Sequence, residues 1–404
     1  MLFPFISHLT EIIKLLRSII RYYLIHSEVF QVPDITLILL GAGNSTRFES
    51  DVKKQWLYSG EIPLWLHVAE SFEAMGAFAK IVIVSSPEDI GLMKHFADYT
   101  YVQGGETRQA SLKNALEDVT TEYVLVSDIA RCCVPAAMIH RILDAREEAS
   151  CIVPVLPVTD TLYLAQTPLD REQVRIIQTP QLSVTKTLKQ ALQTDQLFTD
   201  DSSAVASMGK KVHFVEGSHE AHKLTTISDL KKLPCIEAPS GKTLTGFGLD
   251  IHPFEEGKAM VLCGVKIAVD YGFKAHSDGD VAIHALIDAL LGAAGMGDIG
   301  ELYPDTDQSY AGANSTRLLS DTVRKIRTHG YTIGNVDMTI LAQAPRLLPY
   351  KEKMKHSIAS LLEIRPHLVN IKATTAEKLG FVGRKEGVTV HAVANLTYYN
   401  WKQK

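Results

Sequence analysis

At 404 residues, with 46% hydrophobic and 22% charged residues, the chain has the composition of an ordinary folded protein with room for two or three domains. Its net charge of −5 carries no basic block of the kind that tracks a nucleic-acid backbone, which excludes nucleic acid as the expected partner. Five cysteines (Cys132, Cys133, Cys151, Cys235, Cys263) contain no CxxC pair and form no even set, so reduced thiols and a cytoplasmic setting are expected.

Residues 1–33 form an N-terminal extension in which Lys14, Arg17 and Arg21 break the apolar run. No transmembrane span is therefore predicted, and no small-residue cleavage site marks a signal peptide. Three readings stay open for it: a membrane-surface or partner helix, an extension packed on the body, or an early start codon.

From Ile35 to about Leu230, apolar runs alternate with helical patterns. ITLILL, KIVIVSS, YVLVSD and CIVPVLPV read as strands buried on both faces. Helices are predicted over Leu64–Met75, Thr107–Leu116 and Ala136–Ala149. This rhythm predicts an α/β domain, a doubly wound, mainly parallel, Rossmann-like sheet over 34–233 that binds ligands at the carboxyl ends of its strands. Prolines, Ser240 and Gly241 then cluster without periodicity, giving a linker over 234–243. Residues 244–404 are expected to form an α+β domain, with helices at Val281–Gly292 and Ser315–Thr328 and strands at TIGNVDMTILA, LVNIKATT and VTVHAVANLTYY.

LILLGAGNSTRF follows the first strand directly. Gly41 and Gly43 are expected to allow close backbone approach and positive φ, leaving N–H groups for phosphate, with Arg47 and Lys54 supplying positive charge. The loop is neither a Walker loop nor GxGxxG, which argues against an ATPase or a dehydrogenase. GGETRQAS offers Gly105, Arg108 and Ser111 for a base or ribose, and SDIAR places Asp128 just past a strand.

LLGAGNSTRF, VKKQ, GGETRQAS, SDIAR, IQTPQ and FTDDSSA, in this order, resemble the 2-C-methyl-D-erythritol 4-phosphate cytidylyltransferases over about Ile35 to Leu233. The resemblance implies a nucleotidyltransferase fold and reaction of CTP with methylerythritol phosphate, with Mg²⁺. It assigns transition-state charge stabilisation to Arg47 and Lys54, positioning of the methylerythritol phosphate to Arg171 and Lys223, the metal and ribose side to Asp128, and the substrate loop to Thr199. Two departures are Gly41, where an alanine is usual, and IAR followed by Cys132 and Cys133, where AAR and proline are usual.

In the second half, GLDIHPF puts Asp250 and His252 on one face of a strand, and His284 lies in a helix. One carboxylate and two imidazoles with a fourth position open suit zinc. HSDGD precedes that helix and is expected to cap it and orient the ligands; Asp288, four residues after His284, reads as a supporting or ribose contact. KATTAEKLGFVGRKEG offers hydroxyls and Glu377 for phosphates and a second divalent ion.

D-x-H, HSDGD, GDIG, PDTD, AQAP and KATT-x-EKLGF-x-GR-x-EG together resemble the 2-C-methyl-D-erythritol 2,4-cyclodiphosphate synthases over Gly246 to Trp401. The resemblance implies Zn²⁺ on Asp250, His252 and His284, and Mg²⁺ or Mn²⁺ on Glu377. Transition-state roles fall on His276 and Thr375, and substrate contacts on Ser277, Asp298, Ile299, Gly300, Tyr303, Asp305, Asp307, Thr374, Phe381 and Arg384. Cytidine contacts fall on the loop with Ala342, Pro345 and Leu348. A departure is Ala376, where a third threonine is usual. A trimeric second half, and a homo-oligomer with a dimeric first half, are implied in the same way.

The expected protein is a fused enzyme of the non-mevalonate isoprenoid pathway with two non-consecutive activities, so the intervening kinase is a candidate partner. The alternative is a sugar-nucleotide pyrophosphorylase fused to a zinc hydrolase.

Overall fold

The computed structural model describes residues 34–43, 48, 50–275, 277–304, 306 and 312–403. The expectations for residues 1–33, Arg47, His276, Asp305 and Asp307 lie outside the described residues.

The first half is built on an eight-stranded sheet. Its strands are β1 (Ile35–Leu40), β2 (Lys80–Ser85), β3 (Thr100–Gln103), β4 (Tyr123–Asp128), β5 (Cys151–Pro157), β6 (Arg175–Ile177), β7 (Gln181–Val184) and β8 (Val212–Glu216). The order is β6-β5-β7-β4-β1-β2-β3, with β8 alongside β5. Strand β1 shows why it sits at the centre: Ile35, Leu37 and Leu39 enter one apolar cluster, while Ile38 and Leu40 enter the other. Alternation with apolar residues on both sides is what a sheet covered on both faces demands. β1 through β4 pair in parallel, but β7 runs antiparallel between β4 and β5, and β5 pairs antiparallel with β6 and parallel with β8, so the sheet is mixed.

Two helices matter for the first site. α1 (Pro87–Met93) is capped by Ser86 and α2 (Arg108–Leu116) by Thr107, each side chain accepting a hydrogen bond from the third residue of its helix. The helix expected to reach Ala149 ends at Asp144, and an unanticipated short one spans Asp201–Ser207.

The second half carries a five-stranded sheet of β9 (Leu244–Glu256), β10 (Tyr271–Phe273), β11 (Tyr331–Leu341), β12 (Val369–Thr374) and β13 (Gly387–Tyr398), in the order β10-β9-β13-β11-β12. Helices α3 (Val281–Ala294) and α4 (Ser315–Thr328) accompany it, together with an unanticipated helix over Lys351–Leu362. Along β9 the side chains alternate: Gly246, Gly248, Asp250 and His252 share one face, while Phe247, Leu249 and Ile251 are exposed on the other. A Cβ at Gly246 would meet the Ala289 carbonyl oxygen at 2.0 Å, and one at Gly248 the Ala285 carbonyl oxygen at 2.0 Å. Only glycine lets α3 lie this close to the strand.

The segment between the halves runs along the Tyr58–Ser59/Ile62–Pro63 hairpin, where Ser240 N donates to the Gly60 carbonyl oxygen at 2.8 Å. Contrary to the expectation of unpaired thiols, Cys133 and Cys235 form a disulfide; Cys132, Cys151 and Cys263 stay free and buried. The pair is 102 residues apart in sequence, so no local motif announces it; the fold brings their Cα atoms to 5.5 Å. No described helix is long and apolar enough to cross a membrane.

Candidate active sites

The carboxyl ends of β1, β2 and β4 open onto a cleft of about 510 Å³. It gathers Gly41, Gly43, Lys54, Gly105, Arg108, Ser111, Asp128 and Lys223, eight of the residues expected there, together with Glu106. Neither Gly41 nor Gly43 adopts positive φ, so that part of the expectation does not hold. A Cβ at Gly41 would press on the flexible end of the Ile129 side chain, Cδ1, at 2.4 Å, whereas a Cβ at Gly43 would meet open space. Gly104 follows the same steric logic, its Cβ position lying 2.3 Å from that of Ala42. Ser111 Oγ accepts from Gly105 N at 3.0 Å and so shapes the facing loop.

Asp128 is the electrostatic centre of this cleft. Its Oδ2 accepts from Lys223 Nζ at 2.8 Å and from Thr179 Oγ1 at 3.2 Å, while Arg108 Nε stands 3.8 Å from Oδ1. Burial opposes its ionisation, but Lys223 and Arg108 outweigh that and hold the carboxyl below its ordinary value. Arg108 in turn donates from Nη1 to Asp201 at 2.8 Å, and its Nη2 is buried with no hydrogen-bond partner among the described residues. Burial pushes the fully enclosed Asp201 carboxyl up, and Arg108 pulls against it. Lys223 is fixed beside Asp128 because Leu224 N donates to the Ala130 carbonyl oxygen at 2.8 Å. A cleft walled by Lys54, Arg108 and Lys223 suits a polyanion, since fixed cations aimed at developing phosphate charge need no reorganisation.

Two expected residues stand elsewhere. Arg171 is exposed on the Arg171–Gln173 turn beyond the Leu162–Leu164/Thr167–Leu169 hairpin and donates to the Thr159 carbonyl oxygen at 2.8 Å. Thr199 is exposed just before Asp200, which caps the Asp201–Ser207 helix. Asp201 and Thr179 were missed as supports, although FTDDSSA and IQTPQ contain them; the acidic doublet was the available signal.

The second site joins β9 to α3. Asp250 Oδ2 lies 3.0 Å from His252 Nε2 and 3.2 Å from His284 Nδ1, and one donor atom from each residue falls within 4.8 Å of the others. The outer nitrogens fix which ring face is offered. His252 Nδ1 meets the Gly279 carbonyl oxygen at 3.2 Å, and His284 Nε2 meets Ser315 Oγ at 2.9 Å. Ser315 Oγ itself donates to Asp278, so its lone pairs accept from His284. Each imidazole, held at its outer nitrogen, thus aims its other nitrogen at Asp250, and the three together form the donor set a divalent metal needs. HSDGD does what was expected of it: Asp280 caps α3, and Asp278 and Gly279 hold Ser315 and His252.

Asp288 supports the neighbouring loop, one of the two readings expected of it, and Asp298 shapes the same loop. Asp288 accepts from Ile299 N at 2.8 Å, and Asp298 caps the Ile299–Leu302 turn, which also contains Gly300. Burial raises the Asp288 carboxyl above its ordinary value. Tyr303 donates to the Leu318 carbonyl oxygen on α4 at 3.1 Å, and Ser277 Oγ lies 3.4 Å from His284 Nε2.

A separate cleft of about 380 Å³ collects Ala342, Pro345, Leu348, Thr374 and Thr375. Beside it Thr375 Oγ1 donates to Glu377 at 2.7 Å, and Glu377 and Lys378 take left-handed φ values of 50° and 65°. Such backbone strain is retained where the surroundings require it, commonly at ligand sites. Phe381 lies in the following Gly380–Gly383 turn, and Arg384 forms a two-pronged pair with Glu386 at 2.7 and 3.0 Å. Asp250, His252 and His284 do not line this cleft.

Fold and sites define a two-site enzyme for phosphorylated, nucleotide-like substrates, one half a nucleotidyltransferase and the other a metal-binding α+β domain. Residues 35–236 match the family model for 2-C-methyl-D-erythritol 4-phosphate cytidylyltransferase, and residues 243–397 that of the YgbB family. The chain is 52% identical over 372 residues to the bifunctional enzyme IspD/IspF of Aliarcobacter butzleri, covering 92% of this chain and 100% of that one. It is 55% identical over 367 residues to that of Sulfurimonas denitrificans, covering 91% and 95%. The solved bifunctional IspDF of Campylobacter jejuni matches with a TM-score of 0.84 at 48% identity, over 91% of this chain and 100% of that one. The chain belongs to the bifunctional IspD/IspF family, with a cytidylyltransferase half and a cyclodiphosphate synthase half in isoprenoid biosynthesis. Both halves belong to metal-dependent families.

Proposed function

We propose that residues 34–233 transfer CMP from CTP to 2-C-methyl-D-erythritol 4-phosphate, releasing pyrophosphate, and that residues 244–404 cyclise CDP-methylerythritol 2-phosphate with loss of CMP. Residues 234–243 join them. The observation that carries the first reaction is the convergence of Lys54, Lys223 and Arg108 on one cleft at the strand ends.

In that cleft the substrate phosphate oxygen attacks the α-phosphorus of CTP and the bond to pyrophosphate breaks. Two anions must meet in line, so the protein contributes alignment and positive charge rather than a nucleophile. Lys54 faces the transferring phosphoryl group, a role Arg47 would share; Gly41, Gly43, Gly105 and Ser111 offer backbone and hydroxyl groups to the nucleotide; Lys223 is steered by Asp128. Asp128 would hold Mg²⁺ entering with CTP, an ion that would neutralise the phosphate charge there.

In the second half the 2-phosphate oxygen attacks the β-phosphorus of the same molecule. Asp250, His252 and His284 would hold Zn²⁺, whose chemistry when bound is to orient and polarise phosphate oxygens. Glu377 would hold Mg²⁺ or Mn²⁺, with His276, Thr374 and Thr375 beside the reacting phosphates. Ser277, Asp298 to Gly300, Tyr303, Asp305, Asp307, Phe381 and Arg384 would contact the methylerythritol and diphosphate. The Ala342 to Leu348 loop would take the cytidine.

The exposed row Phe247, Leu249 and Ile251 on β9 suits a second and third copy of this chain, which would bring the metal group of one copy to the nucleotide cleft of another. Exposed Tyr163, Leu164, Leu169, Ile176 and Ile177 make the hairpin arm a surface for pairing of first halves, and pairing would carry Arg171 and Thr199 toward a partner's substrate. A cytoplasmic location and association with the intervening kinase complete the proposal. Separate assays of pyrophosphate and CMP release on the two substrates, with products identified by mass, test it. Release of sugar-nucleotide or simple hydrolysis products instead would favour a pyrophosphorylase fused to a zinc hydrolase.

A further inference from the structure

Lys54 sits on a short turn, Lys54–Trp56, whose flanking residues are all tied to one carboxylate on α1. Asp89 accepts from Lys53 Nζ at 3.0 Å, from Trp56 Nε1 at 3.0 Å and from Gln55 Nε2 at 3.4 Å. A further bond to this carboxylate comes from the other half of the molecule: His329 Nε2 lies 3.1 Å from Asp89 Oδ1. Both side chains are 1% exposed, so the bond is shielded from water and sensitive to geometry.

His329 is placed with equal care on its own side. It caps the carboxyl end of α4, its Nδ1 donating to the Lys325 carbonyl oxygen at 2.7 Å, and its ring stands edge-on to Trp56 at 4.9 Å. One residue earlier, the Thr328 carbonyl oxygen accepts from Lys53 N at 3.0 Å. One residue later, Gly330 has φ +85°, and a Cβ there would strike the Trp56 carbonyl oxygen at 2.1 Å. Three consecutive residues of the second half thus clasp the turn that carries Lys54 in the first.

We propose that His329 is a positioning residue for cytidylyl transfer, holding the Lys54 turn in place through Asp89. The inference rests on the role proposed for Lys54 above. The second half then serves the first reaction as well as its own, although His329 touches no substrate. Displacement of a charge-stabilising group by a fraction of an ångström weakens the transition state more than the bound ground state, so the expected loss is in kcat rather than KM.

The test uses the full chain with His329→Asn and His329→Gln. An asparagine amide nitrogen overlays Nδ1 and keeps the bond to Lys325 while losing Asp89; a glutamine amide nitrogen overlays Nε2 and keeps Asp89. His329→Asn is expected to lower kcat for pyrophosphate release about tenfold with KM for CTP within about twofold, and His329→Gln to restore most of the rate. CMP release by the second half, expected to stay within about twofold of wild type in both variants, reports that the chain is folded. Equal pyrophosphate-release rates in the two variants, or a parallel fall of both activities, would overturn the proposal. A Lys54→Ala chain that still transfers CMP would instead remove the underlying role of Lys54, a distinct result.

Discussion

Lys223 Nζ lies 2.8 Å from Asp128 Oδ2, bridging 95 residues of sequence at the mouth of the first cleft. The pair does two jobs at once. It neutralises a buried carboxylate that would otherwise repel a triphosphate, and it stops a flexible lysine from wandering. Asp128→Asn is expected to lower kcat/KM for pyrophosphate release about a hundredfold, since a released cation no longer meets the phosphate in place. The backbone bond from Leu224 to Ala130 survives the substitution, so thermal unfolding is expected to change little. Wild-type kinetics in this variant would remove the pair from the site.

Lys54→Ala is expected to lower pyrophosphate release by about two to three orders of magnitude while leaving CMP release intact. His284→Ala should do the reverse. Equal loss of both activities in either variant would contradict chemically separate sites.

Bound zinc offers a readout independent of turnover. Asp250, His252 and His284 converge only through β9 and α3, so His252→Ala leaves two ligands. Metal analysis of the purified chain is expected to show zinc per chain falling well below wild type, with CMP release lost and pyrophosphate release kept. An unchanged zinc content would place the ion elsewhere.

Gly248→Ala probes the packing beneath that site. The added methyl would stand 2.0 Å from the Ala285 carbonyl oxygen, and backbone cannot swing aside as a side chain can. A loss of about 2 kcal/mol is expected from overpacking, read as a lower denaturation midpoint of the second half together with weaker zinc retention. A midpoint equal to wild type would mean that α3 and β9 separate more easily than their contact implies.

Asp89 carries a pH signature. Burial alone would raise its carboxyl, but the bonds from His329 and Lys53 outweigh it and hold the group below its ordinary value. A depressed folded-state value stabilises the fold above the unfolded-state value and loses that contribution as pH falls through the folded one. The wild type is therefore expected to lose stability more steeply than Asp89→Asn as pH drops below about 4, followed by tryptophan fluorescence at Trp56. Parallel acid titrations of the two chains would contradict this.

Much of this was legible in the residues themselves. The strand at Ile35–Leu40 and the helix at Ser315–Thr328 are local patterns, apolar on both faces in one case and amphipathic with an asparagine cap in the other, so sequence suffices for them. The D-x-H spacing of Asp250 and His252 works for the same reason, because strand periodicity alone puts both on one face. Gly41 was legible as a small residue of the loop, but its φ is not positive, and the neighbour it makes room for, the Ile129 side chain, lies 88 positions away.

By itself the sequence determined two successive domains and most of their element types, since these follow from short-range periodicity, while the residues expected to handle phosphate and metal rest on the family resemblance. Which residues actually meet was decided only by tertiary structure. Arg108 found Asp201, Ser315 found His284, and Cys133 found Cys235 through contacts between segments far apart in the chain. The same holds for the clasp of His329 on Asp89, 240 residues distant. A buried carboxylate takes whatever donors the packing of two sheets delivers to it, and no local pattern encodes that delivery.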